Sequence, residues 1–152
     1  MLFYRVASSK PERVFVLAKN SSADILESGW WVTWDYLNDL DGVSVDTPSA
    51  KGAAGIGRGI SMAGVAAHTI AVGAYGLIQI YGYHPEARVI AVAGADIGEG
   101  TALGAYSIGG FYMAAPVEVS GTRANMYPVG FSFSTYTDAT NSGTIGVFVK
   151  CI

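Results

Sequence analysis

Few residues in this chain are of the types that do chemistry, and their spacing argues against each reaction in turn. His68 and His84 lie sixteen residues apart, with no His, Cys or carboxylate at the short offsets that structural or catalytic metal sites use. They read as ordinary hydrogen-bonding residues, His68 near a turn and His84, before Pro85, at the end of a strand. Cys151 is the single cysteine, which excludes an internal disulfide framework. Ala105 to Gly109 (AYSIG) is one residue away from the G-x-S-x-G nucleophile elbow, whose Ser sits on a strand-to-helix turn. Gly109, Gly110 and Phe111 follow in place of a helix, so Ser107 marks a strand bend. Gly55 to Ile60 (GIGRGI) has the glycine spacing of a phosphate loop but lacks the third Gly of G-x-G-x-x-G and the Gly-Lys-Ser/Thr of a Walker loop.

Asp35, Asp39, Asp41 and Asp46 form the acidic cluster, and Trp30, Trp31 and Trp34 stand directly before it. Aromatic faces that stack on a sugar beside carboxylates that accept its hydroxyls make a carbohydrate site one reading. The other puts at least one Trp in the core and the aspartates in turns. Calcium is a weaker fit, because the D-x-[DN]-x-[DN]-G order is missing. No set of acid, base and nucleophile can be named, so the chain reads as a non-enzyme without cofactor or metal.

The elements that must position these residues are extended. Arg13 to Ala18 (RVFVLA) and Gly29 to Trp34 (GWWVTW) favour strands by their aromatic and β-branched content. Asp39 to Gly42 (DLDG) turns the chain before Val43, Val45 and Thr47, whose spacing of two places them on one strand face. From Thr69, TIAVGAYGLIQIYGY sets Leu77, Gln79, Tyr81 and Tyr83 on one face and Ile78 and Ile80 on the other, with the strand ending at Pro85 and a new one over Arg88 to Ala93. Ala102 to Ala114 reads as a hairpin or bend about Gly109 and Gly110. Phe131 and Phe133 alternate with Ser132 and Ser134, and Thr144 to Ile152 is the last strand. Short strands between frequent turn signals predict an all-β fold, a compact antiparallel sandwich or small barrel with glycine-rich loops and little helix.

Composition narrows the function. The 152 residues suit a single β domain, with 1–13 as an N-terminal arm and 47–59 as a flexible Gly/Ala-rich loop. Charged residues make up 14% of the chain against 51% hydrophobic, with 20 Gly and 9 Tyr. A surface so poor in charge finishes its burial against a partner. The nine Lys and Arg are scattered, so no basic patch for nucleic acid forms. Residues 1–20 hold Arg5, Lys10, Glu12 and Arg13 without a continuous apolar stretch and do not read as a secretory signal. The stretch between Arg58 and Glu86 lacks formal charge, but its glycines and polar residues fit turn-broken strands better than a membrane helix.

Four phrases carry a family resemblance: Gly29 to Asp35 (GWWVTWD), Asp41 to Val45 (DGVSV), Gly73 to Tyr83 (GAYGLIQIYGY) and Gly143 to Cys151 (GTIGVFVKC). Together with the glycine-rich stretch between them, they resemble the head-decoration, or capsid cement, proteins of tailed bacteriophages. The resemblance implies a small barrel-like or β-tulip-like domain, made in the host cytoplasm and placed on the outer surface of the virion head. There it would bridge major capsid protein subunits, as a trimer in preference to a dimer. On that reading the candidate capsid contacts are Met1, Leu2, Phe3, Tyr4 and Arg5 of the arm and Lys51 and Arg58 of the loop. The candidate self-association residues are Trp30, Trp31 and Tyr83. The rival expectation is a carbohydrate- or surface-binding β-sandwich of head-fibre or adhesion type, built on the Trp and Asp cluster.

Overall fold

The computed structural model of the chain describes residues 4–5, 12–35, 39, 42–48, 62–91, 96–105, 113–114, 118–119, 122–123, 128–138 and 142–151. Over these residues the fold is all-β, with essentially no helix and a closed five-stranded barrel at its centre. The strands in chain order are β1 (Tyr4–Arg5), β2 (Val14–Asn20), β3 (Trp31–Trp34), β4 (Ser44–Asp46), β5 (Met62–Ala66) and β6 (Tyr75–Ile90). Then come β7 (Ala102–Ala105), β8 (Met113–Ala114), β9 (Glu118–Val119), β10 (Thr122–Arg123), β11 (Gly130–Ser132) and β12 (Ser142–Lys150).

The barrel runs β2-β4-β3-β5-β6 and closes where β6 pairs back onto β2. Residues 75–81 of β6 make that closure, and residues 81–90 pair with β12. Beyond β12 come β11, β7 and β8, and β8 returns to β6 in parallel at Val89 and Met113, which completes a second ring. One long strand therefore belongs to both rings. Among the described residues β9 and β10 pair with each other and with no other strand.

Two features depart from the sequence expectation. The pairing of β2 with β4 is parallel, in a fold expected to be antiparallel throughout. The strand expected to end at Pro85 continues to Ile90, because Pro85 and Glu86 form a β-bulge opposite Gly146, between the pairs His84–Val147 and Ala87–Ile145. A bulge interrupts the ladder where proline has no N–H to give, so a residue that reads as a stop is accommodated there. The extra residue also reverses which side chains point inward. Ile78 and Ile80 fill the first core, whereas Ala87 and Val89 fill the second.

The first core holds Val16, Ala18, Val32, Val45, Ala63, Ala66 and Ile78, closed at one end by Leu26 and Ile70, which bridge to each other. A ring of five strands is narrow, so three of those positions are alanine. The second core gathers Trp31, Met62, Val65, Leu103, Ile97, Val147 and Val149. β3 and β5 are the wall between the two, with Val32 and Ala63 on one side and Trp31 and Val65 on the other. Every residue of β5 (MAGVA) is accordingly buried, as its lack of any polar side chain requires. Each fully buried aliphatic side chain contributes about 1.5–3 kcal/mol. Among the described residues no helix is long and apolar enough to cross a membrane, and the charge-free stretch before Glu86 holds β5 and the greater part of β6.

Candidate interaction surface

The outer face of β11, β12 and β6 is aromatic. Register places Phe131 opposite Phe148 and Phe148 opposite Tyr83, so three rings stand in a row across three strands. Tyr81 meets Phe148 edge-on at 5.0 Å and 83°, and Tyr83 meets Phe133 at 5.5 Å and 76°. Such edge-to-face pairs add about 0.5–1.5 kcal/mol beyond area burial. A side chain at Gly146 would press on the Tyr83 hydroxyl at 2.9 Å, so that glycine makes room for the ring. Phe131 and Phe133 nonetheless remain 39% and 51% exposed.

A buried serine sets the direction of this alternation. Ser132 Oγ donates to the Gly98 carbonyl and accepts the Thr101 N–H at 3.0 Å, which ties the 98–101 turn to β11. With Ser132 held inside, Phe131 on the same strand must face out. A second apolar patch lies on the outer face of the first barrel. Leu17 and Leu77 are opposite each other across β2 and β6, as are Lys19 and Tyr75, and Leu17, Leu77 and Tyr75 are all exposed.

The residues expected to bind partners fall in several places. Met1, Leu2, Phe3, Lys51 and Arg58 lie outside the described residues, as do Ser107, the GIGRGI stretch and Asp41. Tyr4 and Arg5 form β1, paired with Phe15 and Val14 at the edge of β2. Trp31, expected at a self-association surface, is 0% exposed in the second core and donates its Nε1–H to the Arg88 carbonyl at 3.1 Å. That expectation is corrected: the side chain offers no surface to a second copy. Trp30 is half-buried, packs against the first core and lies 5.4 Å beneath the Arg88 guanidinium, itself 3.4 Å from Glu27. Tyr83 alone of the three belongs to the aromatic row. Phe131, Phe133, Phe148, Leu17 and Tyr75 carry no expectation of contact from sequence, since alternation in their strands reveals two faces without saying which is wet.

Two carboxylates of the acidic cluster, those of Asp35 and Asp46, are turned into the fold. Asp35 is 1% exposed and accepts from Ser21 Oγ at 2.9 Å, and Asp46 Oδ1 accepts the Thr47 N–H at 2.6 Å. Carboxylates turned inward are poorly placed for sugar hydroxyls, and Trp34, like Trp30, is half-buried against the first core. Asn20 anchors the neighbouring loop, donating to the Asp24 and Ile70 carbonyls and accepting from Ser22.

His68 accepts the Leu77 N–H at 3.2 Å and hydrogen-bonds Thr69 O at 3.0 Å, the turn role its sequence context suggests. Burial first, and then the charge of Arg13, hold the His84 imidazole down at about 4 against an ordinary 6.5. Burial pushes the Cys151 thiol up to about 12, which leaves it protonated and unreactive near neutral pH. Among the described residues no three His, Cys, Asp or Glu side chains come together to hold a metal ion. No protein-family model matches this chain, and no curated protein matches it.

Proposed function

We propose that this protein is a structural virion component, a head-decoration protein that binds the outside of a phage capsid and bridges major capsid protein subunits. The observation that carries the reading is the aromatic row of Phe131, Phe148 and Tyr83, with Phe133 beside it, on an otherwise well-packed barrel. Contiguous apolar patches on a folded domain mark partner surfaces, and aromatic side chains are enriched at the centres of such interfaces. The low charge content and the four phrases that resemble capsid cement proteins agree with it, and a small barrel is the fold that resemblance implies. The Leu17, Leu77 and Tyr75 patch is the second apolar face, suited to contact between copies in the trimer that the resemblance favours over a dimer.

The test is native mass together with co-sedimentation with empty shells of the major capsid protein encoded nearest its gene. The wild-type protein is expected to pellet with the shells. Phe131→Ser combined with Phe133→Ser, which costs the fold the Phe133–Tyr83 ring contact but leaves both cores filled, is expected in its folded fraction to weaken binding at least about a hundredfold, since aromatic hot spots are each worth about 2 kcal/mol or more. A monomer that ignores the shells, or a double variant that binds as tightly as wild type, refutes the proposal.

A further inference from the structure

We propose that His84 is an acid-sensitive latch that holds the bulge joining the two barrels and releases it when the imidazole takes up a proton. The geometry is that of a side-chain turn. His84 Nδ1 accepts the N–H of Glu86 at 3.2 Å, two residues on, with Pro85 between them. Asn and Asp make the same bond to the residue two positions ahead when they initiate turns, and proline after such a residue favours the conformation. A neutral imidazole that accepts at Nδ1 carries its proton on Nε2. The neutral ring therefore closes the turn of the bulge, at the point where β6 passes from the first barrel to the second.

What surrounds this contact makes it a junction. Gly29 passes so close to the bulge that its N–H bonds Ala66 O and its carbonyl accepts the Arg88 N–H, both at 2.9 Å. Trp31 Nε1 bonds the Arg88 carbonyl, and Arg88 pairs with Glu27. The charged groups around His84 come from three segments. Arg13 acts from the segment before β2, with Glu12 beside it, where the main chain covers Gly82. Glu86 and Arg88 lie on β6 itself, and Glu27 on the chain before β3. β12 and β5 present Val147 and Ala66 there, without charge.

Protonation changes one atom's role with a definite result. Nδ1 becomes a donor, so it faces the Glu86 N–H donor to donor, and the turn loses its closing bond. Arg13 and burial oppose the new charge, so the ring gains by leaving the site. The bulge and the adjoining ladder from Ala87 to Ile90 then loosen, while residues 75–81 in the first barrel keep their pairing with β2. The latch does not depend on what the protein binds.

The experiment uses the full chain and follows backbone amide exchange, corrected to protection factors, between about pH 7 and pH 3.5, a span that brackets the His84 titration. Long-range proton–nitrogen spectra of the imidazole are recorded in parallel. Wild type is expected to show the Nε2–H tautomer at neutral pH. Its protection at Glu86, Ala87 and Arg88 is expected to fall about tenfold or more as His84 titrates, the loss of about one hydrogen bond at the turn. His84→Asn keeps an acceptor for the Glu86 N–H and cannot titrate, so its protection there should hold through the same range. Glu27→Gln removes the nearby carboxylate and should leave the wild-type fall intact. An Nδ1–H tautomer overturns the latch, as does an equal loss of protection in His84→Asn. If His84→Asn fails to fold, the tautomer and the coincidence of ring titration with amide opening in wild type decide the matter.

Discussion

Gly29→Ala should cost far more than a glycine substitution normally does, and the structure divides the cost into parts. Gly29 has φ of +84°, a region where a side chain costs about 1–2 kcal/mol. A Cβ there would also fall well inside contact of the Glu86 carbonyl oxygen, with the Ala87 Cα only 3.7 Å away. These are backbone atoms, so no rotamer change relieves the overlap. The segment must withdraw from the bulge, which strains both the Gly29-to-Ala66 and the Arg88-to-Gly29 hydrogen bonds, each worth about 1 kcal/mol. The expected loss is about 3–4 kcal/mol. Gly100→Ala is the internal control, because its φ of +76° carries the same conformational cost while nothing lies within 4 Å of the added carbon. The gain from a stiffer unfolded chain is common to both variants and cancels. Urea unfolding of the two purified variants should therefore differ by about 2 kcal/mol, the part due to the close approach. If the midpoints coincide, Gly29 is not wedged against the bulge, and the account of the junction falls with it.

Two further outcomes follow from the same packing. Trp31→Ala should destabilise by about 3–5 kcal/mol, the cost of emptying a large buried aromatic site, while the native mass of the folded fraction stays that of wild type; a change in mass without loss of stability would return Trp31 to an interface. Stability should also fall with acid through His84. Between about pH 6.5 and 4 the unfolded chain binds a proton that the folded chain refuses, so the cost grows as pH drops through that window and is complete below about 4. The span corresponds to at most about 3 kcal/mol, and urea midpoints of wild type and His84→Asn that fall in parallel from pH 7 to pH 4 would refute it.

Strand positions were legible where the signal is local. β2, β3 and β12 stand where alternation and aromatic content place them, because a half-buried ladder imposes a period of two on its own residues. Sequence divides β6 at Pro85 because proline reads as a stop in a ladder. The fact that it sits in a bulge depends on Gly146, sixty-one residues later in the chain. The parallel pairing of β2 with β4 and the return of β8 to β6 are equally non-local and leave no mark on the segments that make them. The same limit governed the surface. Phe131 and Ser132 alternate plainly, yet Gly98 and Thr101 decide which of them is inside. Trp31 shows the converse case, in which an aromatic taken for a contact residue fills a core that only the wall of β3 and β5 creates.

Ring closure constrains how a protein built this way can meet a partner. An open sheet recruits others through the unpaired N–H and C=O groups of its edge, but a closed ring has spent those groups on itself. Here both rings close on β6, and β1 lies along part of β2. Strand addition therefore has little purchase on the described barrels, and the proposed capsid contact must be made by side chains on outer faces. Phe131, Phe148 and Tyr83 occupy the face of the second ring, and Leu17, Leu77 and Tyr75 that of the first. On the proposed function, two apolar faces on separate rings would serve a bridging protein, one for contact between copies and one for the capsid lattice. On this logic Leu17→Lys should separate the copies and leave the aromatic face competent, whereas the Phe131 and Phe133 variants should do the reverse.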